Sequence, residues 1–83
     1  MSIDGLEVYD TQDFGQAIAL SCKGFELLNM LHGESGNRVT FQFRRTPELV
    51  IASQAYWSGS LSIDAKTFWN ESKNLKARLY SQN

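Results

Sequence analysis

The sequence predicts one small α+β domain with the element order β-α-β-β-α-(β)-α, its sheet of three or four mainly antiparallel strands packed against helices. Three observations lead there. Arg38-Val39-Thr40-Phe41-Gln42-Phe43-Arg44 alternates apolar and polar residues directly after the Gly-rich stretch His32–Asn37, the pattern of a hairpin arm. Thr46-Pro47-Glu48 reads as a helix start: a capping hydroxyl, proline at the first helical position, then an acid. Phe68, Ser72, Leu75 and Leu79 recur at helical spacing near the C-terminal end.

The remaining elements follow in order. Leu6-Glu7-Val8-Tyr9 alternates as a short, half-buried strand, and Asp10 or Thr11 is expected to N-cap the first helix, with Asp13 near its positive pole. Phe14, Ala17, Ile18 and Ser21 form that helix's stripe, widened by Leu20 and Cys22, and Gly24 supplies the left-handed residue that ends it. Phe25–Leu31 is read as a strand because a turn and a second strand follow. The second helix carries Leu49, Ala52, Ala55 and Tyr56 and stops at Gly59. Ser60–Ile63 alternates briefly, as an edge strand or an extended connector. Asp64 caps the last helix, where Ala65, Trp69 and Tyr80 flank the stripe and Lys73, Lys76 and Arg78 suit its negative pole. With the bracketed strand the order is that of a ferredoxin-like split βαβ unit plus a C-terminal helix.

A chain of 83 residues holds one domain, taken as 1–83 with its core over about 6–80. Apolar residues make up 42% and charged residues 20%, the balance of a globular chain rather than a disordered one. The aromatic residues are five Phe, three Tyr and two Trp, which bury much area at little rotamer cost in so small a core. Cys22 is the single cysteine, so no internal disulfide forms, and a reducing, cytoplasmic setting is expected. The start of the chain lacks the basic-then-apolar pattern of a signal peptide, and no apolar run is long enough to span a bilayer. The formal net charge is −1, but it is unevenly spread: six acids face only Lys23 up to Asn37, and seven bases face three acids from Arg38 onward. Mutual screening within one compact surface is the simplest consequence; a bipolar molecule with a basic face is the sharper one.

The chemistry-bearing residue types are sparse. One His and one Cys supply neither a nucleophile–base pair of evident proximity nor a zinc ligand set, so no metal, cofactor or catalytic residue is assigned and the chain is read as a non-enzyme. The carboxylate pairs Asp4/Glu7 and Asp10/Asp13 are better explained as caps and strand ends than as acid–base partners. His32-Gly33-Glu34-Ser35-Gly36 lacks the P-loop lysine and leads into a strand.

Three functional readings remain. The first is an interaction or adaptor protein that binds a protein partner, or itself, through Tyr56, Trp57 and Trp69; adjacent helical residues diverge by about 100°, so one ring of Tyr56-Trp57 and of Phe68-Trp69 is free to face outward. The second is a nucleic-acid-binding accessory protein using Arg38, Arg44 and Arg45 with Lys66 and Lys73; the alternation puts Val39, Phe41 and Phe43 in the core and leaves no aromatic platform on the open strand face. The third is a small-ligand binder or small enzyme centred on the acidic first half, which requires a concave polar pocket.

Asp13-Phe14, Lys23-Gly24-Phe25, Arg38-Val39-x-Phe41-x-Phe43, Tyr56-Trp57-x-Gly59 and Asp64-Ala65-Lys66-x-Phe68-x-x-x-x-Lys73-x-Leu75-Lys76 together resemble a small domain-of-unknown-function family, the 5659 type, found in prokaryotes, archaea and their mobile elements or viruses. The resemblance covers about Tyr9 to Tyr80 and rests mostly on core and capping positions. It implies a compact α+β unit and brings no activity or site residues with it. A viral or mobile-element origin would suit a small inhibitor or adaptor.

Overall fold

The computed structural model describes residues 2–3, 6–33 and 38–81, with strands β1 (Ser2–Ile3), β2 (Leu6–Thr11), β3 (Leu27–His32) and β4 (Val39–Arg44) and helices α1 (Phe14–Cys22), α2 (Pro47–Ser58) and α3 (Ala65–Ser81). The expected hairpin turn at Glu34–Asn37 and the acid Asp4 lie outside the described residues. Three antiparallel strands run in the order β2-β4-β3, and the two-residue β1 pairs antiparallel with the start of β2. The fold is α+β, in the order β-α-β-β-α-α after β1.

β4 is the centre of the sheet, and its alternation decides the layers. Val39, Phe41 and Phe43 turn toward the helices, Phe41 and Phe43 being fully buried. Opposite them stand Tyr9 and Thr11 of β2 and Leu27, Met30 and His32 of β3. Leu27 and Met30 are three residues apart, which a regular strand would send to opposite faces. A bulge between Leu27 and Asn29 absorbs the extra residue, so both reach the core.

The helices cover one face of the sheet. α1 packs against both α2 and α3, and five consecutive residues, Gln16 to Leu20, are buried. Five residues sweep more than a full helical turn, so α1 is enclosed on every side. Leu49 from α2 and Leu75 from α3 complete the core, with Phe14, Phe25, Phe68 and Leu79 packed around it.

Local signals set most boundaries. α1 ends where Gly24 adopts φ 88, with the Phe25 N–H donating to Leu20 O and the Gly24 N–H to Ser21 O. α2 ends the same way at Gly59, φ 79, with Ser60 N–H to Ala55 O and Gly59 N–H to Tyr56 O. Both are Schellman turns, which need a residue free of Cβ strain at positive φ. Thr46 caps α2 by accepting from the Leu49 N–H, with Pro47 in the first turn, and Asp64 caps α3 by accepting from the Thr67 N–H.

One expectation is corrected and one open alternative is decided. Asp10 and Thr11 do not cap α1: they continue β2, opposite Gln42 and Phe41, and Asp13 takes the cap by accepting from the Gln16 N–H. Cross-strand pairing with β4 outcompetes the earlier start. Ser60–Ile63 is a connector, not a strand, so the ferredoxin-like order is not completed; the N–H groups of Ser60 and Leu61 are spent on Ala55 O, which holds the segment against the end of α2.

Candidate functional site

A polar cluster lies inside the molecule where β2, α1 and α2 meet. The side chain of Gln16 is almost wholly buried; its Nε2 donates to Ser53 Oγ at 2.6 Å and to Tyr9 Oη at 2.9 Å, and its Oε1 accepts from the Thr11 hydroxyl. Tyr9 Oη and Ser53 Oγ also bond each other at 2.7 Å. Next to this cluster Asp13 Oδ1 accepts from the Gln16 N–H and from Tyr56 Oη, at 2.8 and 3.1 Å. Burial and the hydrogen bond to Asp13 raise the Tyr56 phenol above its ordinary value. Among the described residues no buried side-chain polar atom lacks a partner, so this is a satisfied clamp between three elements rather than a reactive site. Neither Gln16 nor Ser53 stands out in the sequence, and Thr11 does so only as a cap candidate. The available signal was that α1, Phe-Gly-Gln-Ala-Ile-Ala-Leu-Ser-Cys, carries no charge, which marks a buried helix whose one amide must be bonded inside.

Among the described residues, those with chemical potential do not assemble. Cys22 is half-buried at the end of α1 with Sγ 3.8 Å from Thr67 O; burial first, then the Glu71 carboxylate, push its thiol above the ordinary range and away from nucleophilic chemistry. His32 ends β3 opposite Val39. Asp10 accepts from the Gln42 amide on the open sheet face, whereas Asp13 caps α1. Among the described residues no three His, Cys, Asp or Glu side chains are grouped to hold a metal ion, and no helix is long and apolar enough to cross a membrane.

The strand arginines are held by neighbours. Arg44 Nε pairs with Glu26 Oε1 at 3.0 Å, and Arg38 Nη1 donates to Gln12 Oε1 at 3.2 Å, while Gln12 itself reaches Thr40. Among the described residues the open sheet face carries these polar contacts and no ring, with Val8 and the half-exposed Leu31 between them. Arg45 stands apart, at a groove of about 410 Å³ that it lines with Glu7, Thr46, Pro47, Val50 and Ile51.

That groove leads onto the outer face of α2. Its inner face is Leu49, Ala52, Ser53 and Tyr56; Pro47, Val50, Ile51, Gln54 and Trp57 fall on the other half. Ile51 and Trp57 are exposed by 66% and 60%. The half-buried Tyr56 packs against Trp57 edge to face, with centroids 4.9 Å apart, so the outward ring is braced from beneath. From Leu49 to Ile63 there is no charged residue at all. On α3, Phe68 turns inward and Trp69 outward, 60% exposed, with Lys73 Nζ 5.8 Å from the ring centroid. Trp57 and Trp69 therefore sit on two separate surfaces, with no ring contact between them.

The structure thus defines a two-layer α+β domain with solvent-facing aromatic surfaces. The chain belongs to the domain-of-unknown-function family DUF5659, whose pattern matches residues 7–81. No curated protein and no solved structure matches it.

Proposed function

We propose that this protein is a small interaction module that binds a protein partner through the outer face of α2. One observation carries the reading: the outer half of α2 presents Ile51 and Trp57, more than half exposed, among the uncharged polar residues Gln54 and Ser58 and beside the groove at Arg45. Burying a large apolar side chain is worth about 1.5–3 kcal/mol, and this domain leaves two such groups in water on the outer half of α2. A tryptophan braced by Tyr56 and rimmed by Gln54 and Ser58 has the make-up of an interface anchor. Such a module suits the adaptor role that a mobile-element or viral gene would need, acting in the reducing cytoplasm where the free Cys22 thiol persists.

Site-specific photo-cross-linking in the cell of origin tests this. A benzophenone side chain at position 57 is expected to give a discrete protein adduct that Ile51→Lys abolishes, while the same group at position 74 on α3 gives none. Equal labelling from both positions, or none from position 57, refutes the proposal. An adduct of the chain with itself identifies the partner as a second copy.

A further inference from the structure

We infer that α3 carries a separate binding surface for single-stranded nucleic acid. At about 100° per residue, Lys66, Trp69, Lys73, Lys76 and Tyr80 fall within about 80° of arc on this helix. The core stripe, Phe68, Ser72, Leu75 and Leu79, occupies a different sector. All five residues of the first group are exposed, Trp69 by 60% and Tyr80 by 74%. No acid shares their arc. α3 holds four bases, Lys66, Lys73, Lys76 and Arg78, against one acid, Glu71, and Glu71 faces Cys22 on another side.

The pattern fits its ligand in two ways. Three ammonium groups in line repeat a positive charge along a helix, matching a phosphate backbone that has no fixed shape. Trp69 and Tyr80 flank Lys73 and Lys76 along the stripe; Lys73 Nζ lies over one face of Trp69, and the other face and the Tyr80 ring are offered to unpaired bases, which stack on aromatic rings without regard to sequence. Paired bases present no free face, so a duplex gains only the charge term. A membrane surface is less well matched: Leu75 and Leu79 are committed to the core, and the exposed arc has no aliphatic side chain to insert. The Arg38–Arg44 strand does not join this surface, because its arginines stand on the open face of the sheet, away from the helices.

Fluorescence anisotropy of labelled oligothymidylate and oligouridylate, titrated with the full chain across a salt series, tests the inference. The expected result is binding whose log affinity falls with log salt at a slope of about −2, as three lysine–phosphate contacts require. Lys66→Gln/Lys73→Gln/Lys76→Gln flattens the slope, and Trp69→Ala weakens binding about 10-fold at fixed salt. Asn74→Ala, on the same helix but off the stripe, leaves both unchanged. All substituted side chains are exposed, and circular dichroism verifies that each variant is folded. No binding at low salt overturns the inference, as does duplex bound as tightly as single strand. So does binding by phosphatidylserine vesicles without binding of either oligonucleotide.

Discussion

Replacing Gln16 with leucine keeps a side chain of similar bulk inside α1 but removes both ends of its amide. In the native fold that amide makes three side-chain hydrogen bonds, to Thr11, Tyr9 and Ser53, in a fully buried position. Tyr9 and Ser53 keep each other as partners in the variant, so the damage concentrates on Thr11. That hydroxyl loses its acceptor while still accepting from the Asp13 N–H. At about 1 kcal/mol net per lost bond, and 1–3 kcal/mol for a stranded buried donor, the gross loss is about 3–5 kcal/mol. The added apolar contact of leucine returns about 1 kcal/mol, leaving a destabilisation of about 2–4 kcal/mol. For a domain of this size each kcal/mol lowers the melting temperature by about 4–8 °C. Urea unfolding followed by circular dichroism, with an unchanged m-value, measures the loss directly. Adding Thr11→Val removes the stranded hydroxyl, though it also takes the acceptor from the Asp13 N–H, and is expected to recover part of the loss. A loss below about 0.5 kcal/mol for Gln16→Leu, a surface-like value, or no recovery in the Gln16→Leu/Thr11→Val variant, would show that the cluster is not the clamp described.

Two further consequences are open to measurement. A Cβ added at Gly15 would stand 2.6 Å from Tyr56 Oη, so Gly15→Ala forgoes the helix-propensity gain of about 1 kcal/mol by driving the phenol off Asp13. Gly15→Ala in a Tyr56→Phe background regains it, and equal effects in the two backgrounds, read by thermal melting, would exclude the contact. The Cys22 thiol, with its pKa raised in the folded state from an ordinary 9.0, contributes stability that is complete below pH 9 and declines as pH rises through the folded value, because the unfolded chain releases its proton first. Iodoacetamide is accordingly expected to label native Cys22 more slowly than the urea-unfolded chain at the same pH, and Glu71→Gln speeds the native reaction. Identical native rates with and without Glu71 would remove its carboxylate as a cause.

Much of the fold was legible because its signals are local. Thr46-Pro47, Gly24 and Gly59 act through the sterics of one turn, and each ends or starts a helix where its residue type requires. The alternation of Val39, Phe41 and Phe43 survives into the structure because a central strand with one covered face admits no slip in register. Helical geometry also showed that one ring of Tyr56-Trp57 and one of Phe68-Trp69 could face outward; the packing made these Trp57 and Trp69. Ser60–Ile63 was less legible: its alternation is real, but the Schellman turn behind Gly59 had already claimed its first N–H groups.

The α+β composition, both ends of α2, the Gly24 stop of α1, the inward face of β4 and the scarcity of catalytic and ligand residues are properties of the amino-acid sequence by itself, since they depend on residue type, on period and on neighbours a few positions away. Only the tertiary structure decided that Thr11 belongs to a strand, that a bulge lets Leu27 and Met30 share the core, and that Gln16 anchors a buried cluster with Ser53, 37 residues distant. It also decided that Glu26 and Gln12 would occupy the strand arginines while the lysines of α3 stayed open to solvent. The reason is common to all four. Hydrogen bonds and ion pairs between distant segments form only after packing has brought those segments together, and no local preference encodes which partner arrives.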